Sequence, residues 1–216
     1  MKLEVHTLRY GSPGWLLECA PTLDSWTERH GYPLRIWTDR DAKPDYPWPK
    51  FCLVDMWEQF AKGDSDWMLY VDADIYVRHD APKINFLEFE SELLMPRSNR
   101  RTNGRYEKWR RHYGDQAIVR PERWWLRNCG WMAIDKKGVQ KLLRVVRPPY
   151  RGGTMDECQV NEWVLQAYVK HGLKVTSPPK VWHRFYWRKP PGFMWHVARP
   201  HNKMEHLRKL KATQAI

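Results

Sequence analysis

The sequence predicts an α/β domain in which a mostly parallel sheet is covered by helices on both faces. Three observations carry the prediction. β-rich apolar segments alternate with helical segments along the chain. Helical segments stop at glycines, at Gly31 and again at Gly63. The most apolar stretch, DWMLYVDADIYV from Asp66 to Val77, has the length and composition of a strand buried on both faces.

The elements follow in order. KLEVHTLRY reads as a strand, and PGWLLECAPTLDSWTERHG as a helix ended by Gly31. PLRIWTD is a second strand closing on Asp39, followed by the proline-rich loop DAKPDYPWP. KFCLVDMWEQFAKG is a helix that leads into the strand at Asp66. RSNRRTNGRYEKWRRHYGDQ is polar, strongly basic and without clean periodicity, so it reads as a loop or lid. NCGWMAID is a strand, and KKGVQKLLRVV a helix with Val139, Leu142, Leu143 and Val146 on one face. RPPYRGG breaks the chain before the helix DECQVNEWVLQAYVKHG, whose apolar stripe is Val160, Trp163, Val164, Ala167 and Tyr168. LKVTSPP and KVWHRFYW read as late strands, and FMWHVARPHNKMEHLRKLKA as a tail with a short helix. No repeat or linker divides the chain, so residues 1–216 are expected to form one domain.

Two carboxylates inside so apolar a strand would be costly. The cost falls away if the strand ends at Asp72, so that Asp72 and Asp74 project from its tip, where ligands gather in parallel sheets. A D-x-D triplet there supplies hard oxygen ligands for Mn²⁺ or Mg²⁺, and such an ion can bridge a diphosphate. Solvated acids at a turn are the plain alternative. Asn128 and Gly130 open the next buried strand; glycine admits a close approach, and the asparagine either contacts hydroxyls or closes a turn. Asp156 and Glu157 stand at a helix N-terminus, where capping is the common role of acids. His196 could add an imidazole to the ion, Arg199 and Lys203 could bind phosphate, and Thr7 could touch a nucleotide; a structural histidine, a solvated basic tail and an ordinary strand threonine are the commoner alternatives.

Composition narrows the classes. The 216 residues are 42% hydrophobic and 29% charged, as in a folded globular domain, and tryptophan is unusually abundant at 14 residues. No run of about 18 apolar residues predicts a membrane span. MKLEVHTLRY lacks the apolar core of a signal peptide, which sets the expectation of a cytoplasmic protein with peripheral membrane contact at most. Cys19, Cys52, Cys129 and Cys158 form no C-x-x-C pair and read as buried free thiols. The formal charge of +12 favours anionic partners without choosing among nucleic acid, acidic lipid and phosphorylated substrates.

The order of four pieces, LYVDADIYV, NCGWMAIDKKG, DECQVN and FMWHVARPHNK, resembles the GT-A fold nucleotide-sugar glycosyltransferases, particularly the family-eight galactosyltransferase-like and related retaining enzymes. The resemblance spans nearly the whole chain. It implies a GT-A-like, Rossmann-type sheet and a metal-dependent transfer of sugar from a nucleoside-diphosphate sugar, a UDP-sugar, to an acceptor hydroxyl on a glycan or other acceptor. It makes Asp72 and Asp74 metal and donor ligands and His196 the third protein ligand. It places Asn128 and Gly130 on the sugar side, matches Asp156 and Asn161, and puts Glu157 near the reacting sugar face as nucleophile or ion-pair stabiliser. Asp39 is a candidate nucleoside contact, and the basic loop from Arg97 to Arg111 a closure over the donor or a recruiter of an anionic acceptor. The chain departs from the family at Arg199, which replaces a glycine, and at Lys203, which stands one place late.

Two rival classes remain at this stage. A haloacid-dehalogenase-type phosphatase also uses Asp-x-Asp after an apolar strand, but its acidic strand comes first and its later acidic pair has only MDEC as a substitute. A nucleic-acid-binding module would use the charge and the aromatic-basic stretch RYEKWRRHY. Nucleic acid is not expected to be an obligatory partner.

Overall fold

The computed structural model describes residues 1–11, 13–97, 127–147, 156–185, 192–197 and 203–214. Nine strands are present among them: β1 (Leu3–Leu8), β2 (Leu34–Trp37), β3 (Trp67–Val71), β4 (Ile75–Val77), β5 (Leu93–Leu94), β6 (Trp131–Asp135), β7 (Val175–Thr176), β8 (Arg184–Phe185) and β9 (Met194–His196). The helices are α1 (Gly14–His30), α2 (Cys52–Lys62), α3 (Lys136–Leu143), α4 (Asp156–His171) and α5 (Lys203–Gln214). The expected basic lid falls almost wholly, and Arg199 wholly, outside the described residues.

The central sheet has six strands in the order β2-β1-β3-β6-β5-β7. β1 is parallel to β2 and β3, and β5 is parallel to β7, whereas β6 runs antiparallel to both of its neighbours. The sheet is therefore mostly parallel, as the alternation of elements predicts. The reversed β6 has a direct consequence: its entry lies beside the exit of β3. Val71 pairs with Trp131, and the Asp72 N–H donates to the Gly130 carbonyl at 2.8 Å. Residues 128–130 are thus held next to the first aspartate.

Burial on both faces follows from strand alternation. Met68 and Tyr70 of β3 and Met132 and Ile134 of β6 join a core with α2, α3 and α4. Trp67, Leu69 and Val71, with Trp131 and Ala133, face the other way onto Leu23 and Trp26 of α1. Several of the described tryptophans are core pieces: Trp26, Trp57 and Trp131 are among the largest fully buried side chains, and Trp57 meets Trp163 edge-on at 6.1 Å. The four cysteines are buried and unbridged. α1 ends at Gly31, whose φ of 68° is the left-handed region that stops a helix.

β3 does not simply continue. The Asp72 carbonyl accepts from the Ile75 N–H at 3.0 Å, and this turn throws the chain out of the main sheet into β4. β4 pairs antiparallel with β9, placing Ile75 opposite His196, and the Val197 N–H donates to the Asp74 carbonyl at 2.9 Å. A three-stranded sheet, β4-β9-β8, results.

Three readings of the sequence need correction. Tyr168 is exposed at 45%, whereas Val160, Trp163, Val164 and Ala167 of the expected stripe are buried. KVWHRFYW is a 3₁₀ turn over Lys180–Trp182 and then only the two-residue β8 in its described part. The tail helix is not short, since α5 has 12 residues. Among the described residues no helix is long and apolar enough to cross a membrane.

A buried polar chain ties β1 to β2. The Trp37 indole N–H donates to His6 Nδ1 at 3.1 Å, and His6 Nε2 lies 2.8 Å from Glu4 Oε1. An indole only donates, so Nδ1 holds the lone pair and the proton is on Nε2, given to Glu4. Burial pushes the His6 pKa down, against the pull of Glu4. Burial would raise Glu4, but the hydrogen bonds and charges of its neighbours, His6 foremost, leave it lowered. Both shifts have one sign: the unfolded chain binds more protons, so stability is present above about pH 6.5 and is lost as pH falls through the lowered values. Thermal melts between pH 7 and 4 should show falling Tm, and His6→Gln, which keeps a donor and an acceptor without titrating, should flatten the upper part of that fall. Identical pH slopes in the two proteins would contradict this.

Candidate metal centre

The acidic triplet becomes a site because three separate constraints aim it at one point. β3 delivers Asp72 at the edge of the sheet, the turn after it inverts the chain at Asp74, and β9 brings His196 alongside. One ligand atom from each of Asp72, Asp74 and His196 falls within 4.8 Å of the others. Asp74 and His196 are buried and Asp72 is partly open.

Each group is held from a second direction. Tyr70, two residues before Asp72 and so on the same side of β3, donates its hydroxyl to Asp72 Oδ1 at 2.6 Å. Burial, and next the Asp72 charge, push the Tyr70 pKa well up, so it stays a donor. Lys50 Nζ lies 3.1 Å from Asp72 Oδ2. Asp74 Oδ1 is 3.2 Å from His196 Nε2, and its Oδ2 is 2.6 Å from Lys203 Nζ. The Lys203 ammonium also sits 4.1 Å from the Trp15 ring centroid, a cation–π contact. Burial alone would raise the Asp74 pKa; the charges of His196 and Lys203 overcome it and hold the carboxyl well below its usual range. Burial likewise opposes charge on His196, and Asp74 prevails and raises it.

Gly130 forms the floor. A Cβ there would stand 2.7 Å from Asp72 Oδ2, 2.7 Å from His196 Cε1 and 3.0 Å from Asn128 Oδ1. No side chain fits that space with the ligands where they are. The Asn128 oxygen accepts from the Gly130 N–H at 2.9 Å, so it closes the turn that the sequence left open as an alternative. Asn161 acts one step further back: fully buried, it accepts from the Arg127 N–H at 2.7 Å and donates to the Arg127 carbonyl at 2.9 Å, anchoring the strand entry that carries Asn128 and Gly130.

A cavity of about 400 Å³ opens beside the two aspartates, lined by Tyr10, Trp15, Trp48, Lys50, Asp72 and Lys203 among others; Asn128, Gly130 and His196 lie behind its wall. Lys203 enters it despite its displaced position in the motif. Thr7 does not: it is fully buried within β1, and Leu8 lines the cavity instead. Asp39 stands in the turn after β2, at the same edge of the sheet as Asp72 but outside the cavity wall. Asp156 and Glu157 begin α4. Sequence reasoning missed Lys50, Trp15, Trp48 and Tyr70. Only Tyr70 carried a signal, its two-residue spacing from Asp72 on a strand.

The donor set fits a divalent ion: two carboxylates and an imidazole converge where a glycine leaves room, and the chain compensates their charge with two lysines.

No protein-family model and no curated protein matches the chain. Solved structures do. A glycosyltransferase involved in glycosylation of the major capsid of PBCV-1 superposes with a TM-score of 0.61 at 13% identity, covering 97% of this chain and 99% of its own. The galactosyltransferase LgtC, solved with donor and acceptor sugar analogues, gives 0.51 at 12% identity, covering 97% and 95%. The chain thus has the fold of these GT-A glycosyltransferases over essentially its full length, as its motif order implied.

Gly130→Ala should push Asp72 and His196 apart. The expected outcome is a folded protein destabilised by about 1–3 kcal/mol, read by urea denaturation, with weakened Mn²⁺ binding in a calorimetric titration. Native stability together with native affinity would show that the floor is not as tight as described.

Proposed function

We propose that the chain is a metal-dependent glycosyltransferase that moves a sugar from a nucleoside-diphosphate sugar, a UDP-sugar, to an acceptor hydroxyl. The observation that carries the reading is the convergence of Asp72, Asp74 and His196, with both aspartates lining a cavity that Lys50 and Lys203 also line, in a chain with this fold. The mixed oxygen and nitrogen donor set favours Mn²⁺ over Mg²⁺. When bound, the ion supplies positive charge to the departing diphosphate.

The chain's own groups do the rest. Breaking the anomeric C–O bond leaves negative charge on the diphosphate. Lys50 and Lys203, each now against a carboxylate, are placed to turn toward that charge once the aspartates serve an ion. Tyr10 and Trp48, edge-to-face at 6.2 Å and partly exposed, offer flat apolar walls that exclude water and against which a base or sugar ring can stack. Asp39, at the same sheet edge, is assigned to the nucleoside. Gly130 admits the donor closely, and Asn128 keeps its amide nitrogen for a hydroxyl while its oxygen holds the turn. Asp156 and Glu157 are assigned to the sugar face at the start of α4, Glu157 as nucleophile or ion-pair stabiliser. An acceptor with anionic character would suit the chain's excess of cations.

The test is a transfer assay with a panel of UDP-sugars. Sugar release should require Mn²⁺, vanish with a chelator and return on adding the ion back. Asp74→Asn, folded by circular dichroism, should lose about a hundredfold or more in rate, the several kcal/mol expected of lost leaving-group stabilisation. Full turnover in the chelator, or in Asp74→Asn, would overturn the reading. Release of inorganic phosphate without sugar transfer would favour a phosphatase.

A further inference from the structure

His196 has two ring nitrogens, and only one faces the carboxylates. Nε2 points at Asp74, while Nδ1 lies 3.2 Å from Nε2 of a second buried histidine, His183. The two rings are tilted 71° to each other with centroids 5.3 Å apart. We infer that His183 is a positioning residue that fixes the tautomer of His196, keeping the proton on Nδ1 so that Nε2 is presented as a metal ligand. The inference rests on the cation reading of the site given above.

The argument is one of donors and acceptors. Between two imidazole nitrogens at this distance, one carries the hydrogen and the other the lone pair. If His183 donated, neutral His196 would hold its proton on Nε2 and could not bind an ion there. If His196 donates from Nδ1, Nε2 is free. The direction follows from the geometry. His196 turns Nε2 to Asp74 and Nδ1 to His183, so a His196 that binds an ion through Nε2 keeps its proton on Nδ1, and Nε2 of His183 is the acceptor. A neutral His183 that accepts at Nε2 carries its own proton on Nδ1. The supporting ring is carried by the segment that pairs with the ligand strand. It follows the 3₁₀ turn over Lys180–Trp182, whose Trp182 is in the core, and leads into β8 beside β9. Ring orientation and ligand basicity are what such an outer partner sets.

Two measurements test this. First, Mn²⁺ is titrated calorimetrically into the native protein, His183→Phe, which cannot accept, and His183→Gln, whose amide oxygen can. The Phe variant should bind about 10–100-fold more weakly, and the Gln variant should stay near native affinity. Second, long-range ¹⁵N–¹H correlation on the metal-free native protein should show His183 neutral with its proton on Nδ1, the tautomer less common in solution. This measurement needs no variant and decides the matter even if His183→Phe fails to fold. A proton on His183 Nε2, or equal Mn²⁺ affinity in native and Phe proteins, would overturn the role of His183 while leaving the cation site standing. Failure of the native protein to take up Mn²⁺ would instead overturn the cation site, and this inference with it.

Discussion

The structure depends on how a buried carboxylate is compensated at the end of its central strand. Asp74 is buried, and an isolated charge there would be intolerable. It persists because His196 and Lys203 meet its two oxygens from elements far away in the chain. Those contacts explain why the last sheet exists: β9 pairs with β4 and carries His196, and α5 begins at Lys203. The C-terminal segment is folded back onto the strand tip by the charge it neutralises as well as by the apolar contact of Val197 and Leu207 with Cys19.

Around that pair the site is built for replacement. Positive charge from two lysines balances two carboxylates, and in the proposed reaction the same groups would handle a metal-bound diphosphate. The floor made by Gly130 and the pinning of its turn by Asn128 and Asn161 keep the ligands from spreading. Such support behind the ligands suits the proposed reaction, in which charge develops on a leaving group.

Much of this was legible in the sequence, and the limit is physical. The run ending at Asp72 announced itself because apolar β-rich residues with two acids make sense only at a strand tip. Helix ends at glycine and the alternation of elements were equally local. What could not be read was long-range register. β4 and β9 have three residues each, too few for a pattern, so the nearness of His196 to Asp74 came from motif order and not from periodicity. The same limit hid Lys50 and Trp15, which reach the cavity from a turn and a helix with no marker in their neighbours. Thr7 shows the same limit: β1 continues to Leu8, which lines the cavity, while Thr7 is buried within the strand. The reversal of β6, which sets Gly130 beside Asp72, also leaves no trace in its own composition.

The most direct measurement is a crystal structure of the protein soaked with Mn²⁺ and UDP, with the ion located by its anomalous signal. The account predicts one strong peak bonded to Asp72, Asp74 and His196, with Lys203 moved from Asp74 toward the diphosphate. UDP bound with the Lys203–Asp74 pair intact and no ion between the aspartates would contradict it.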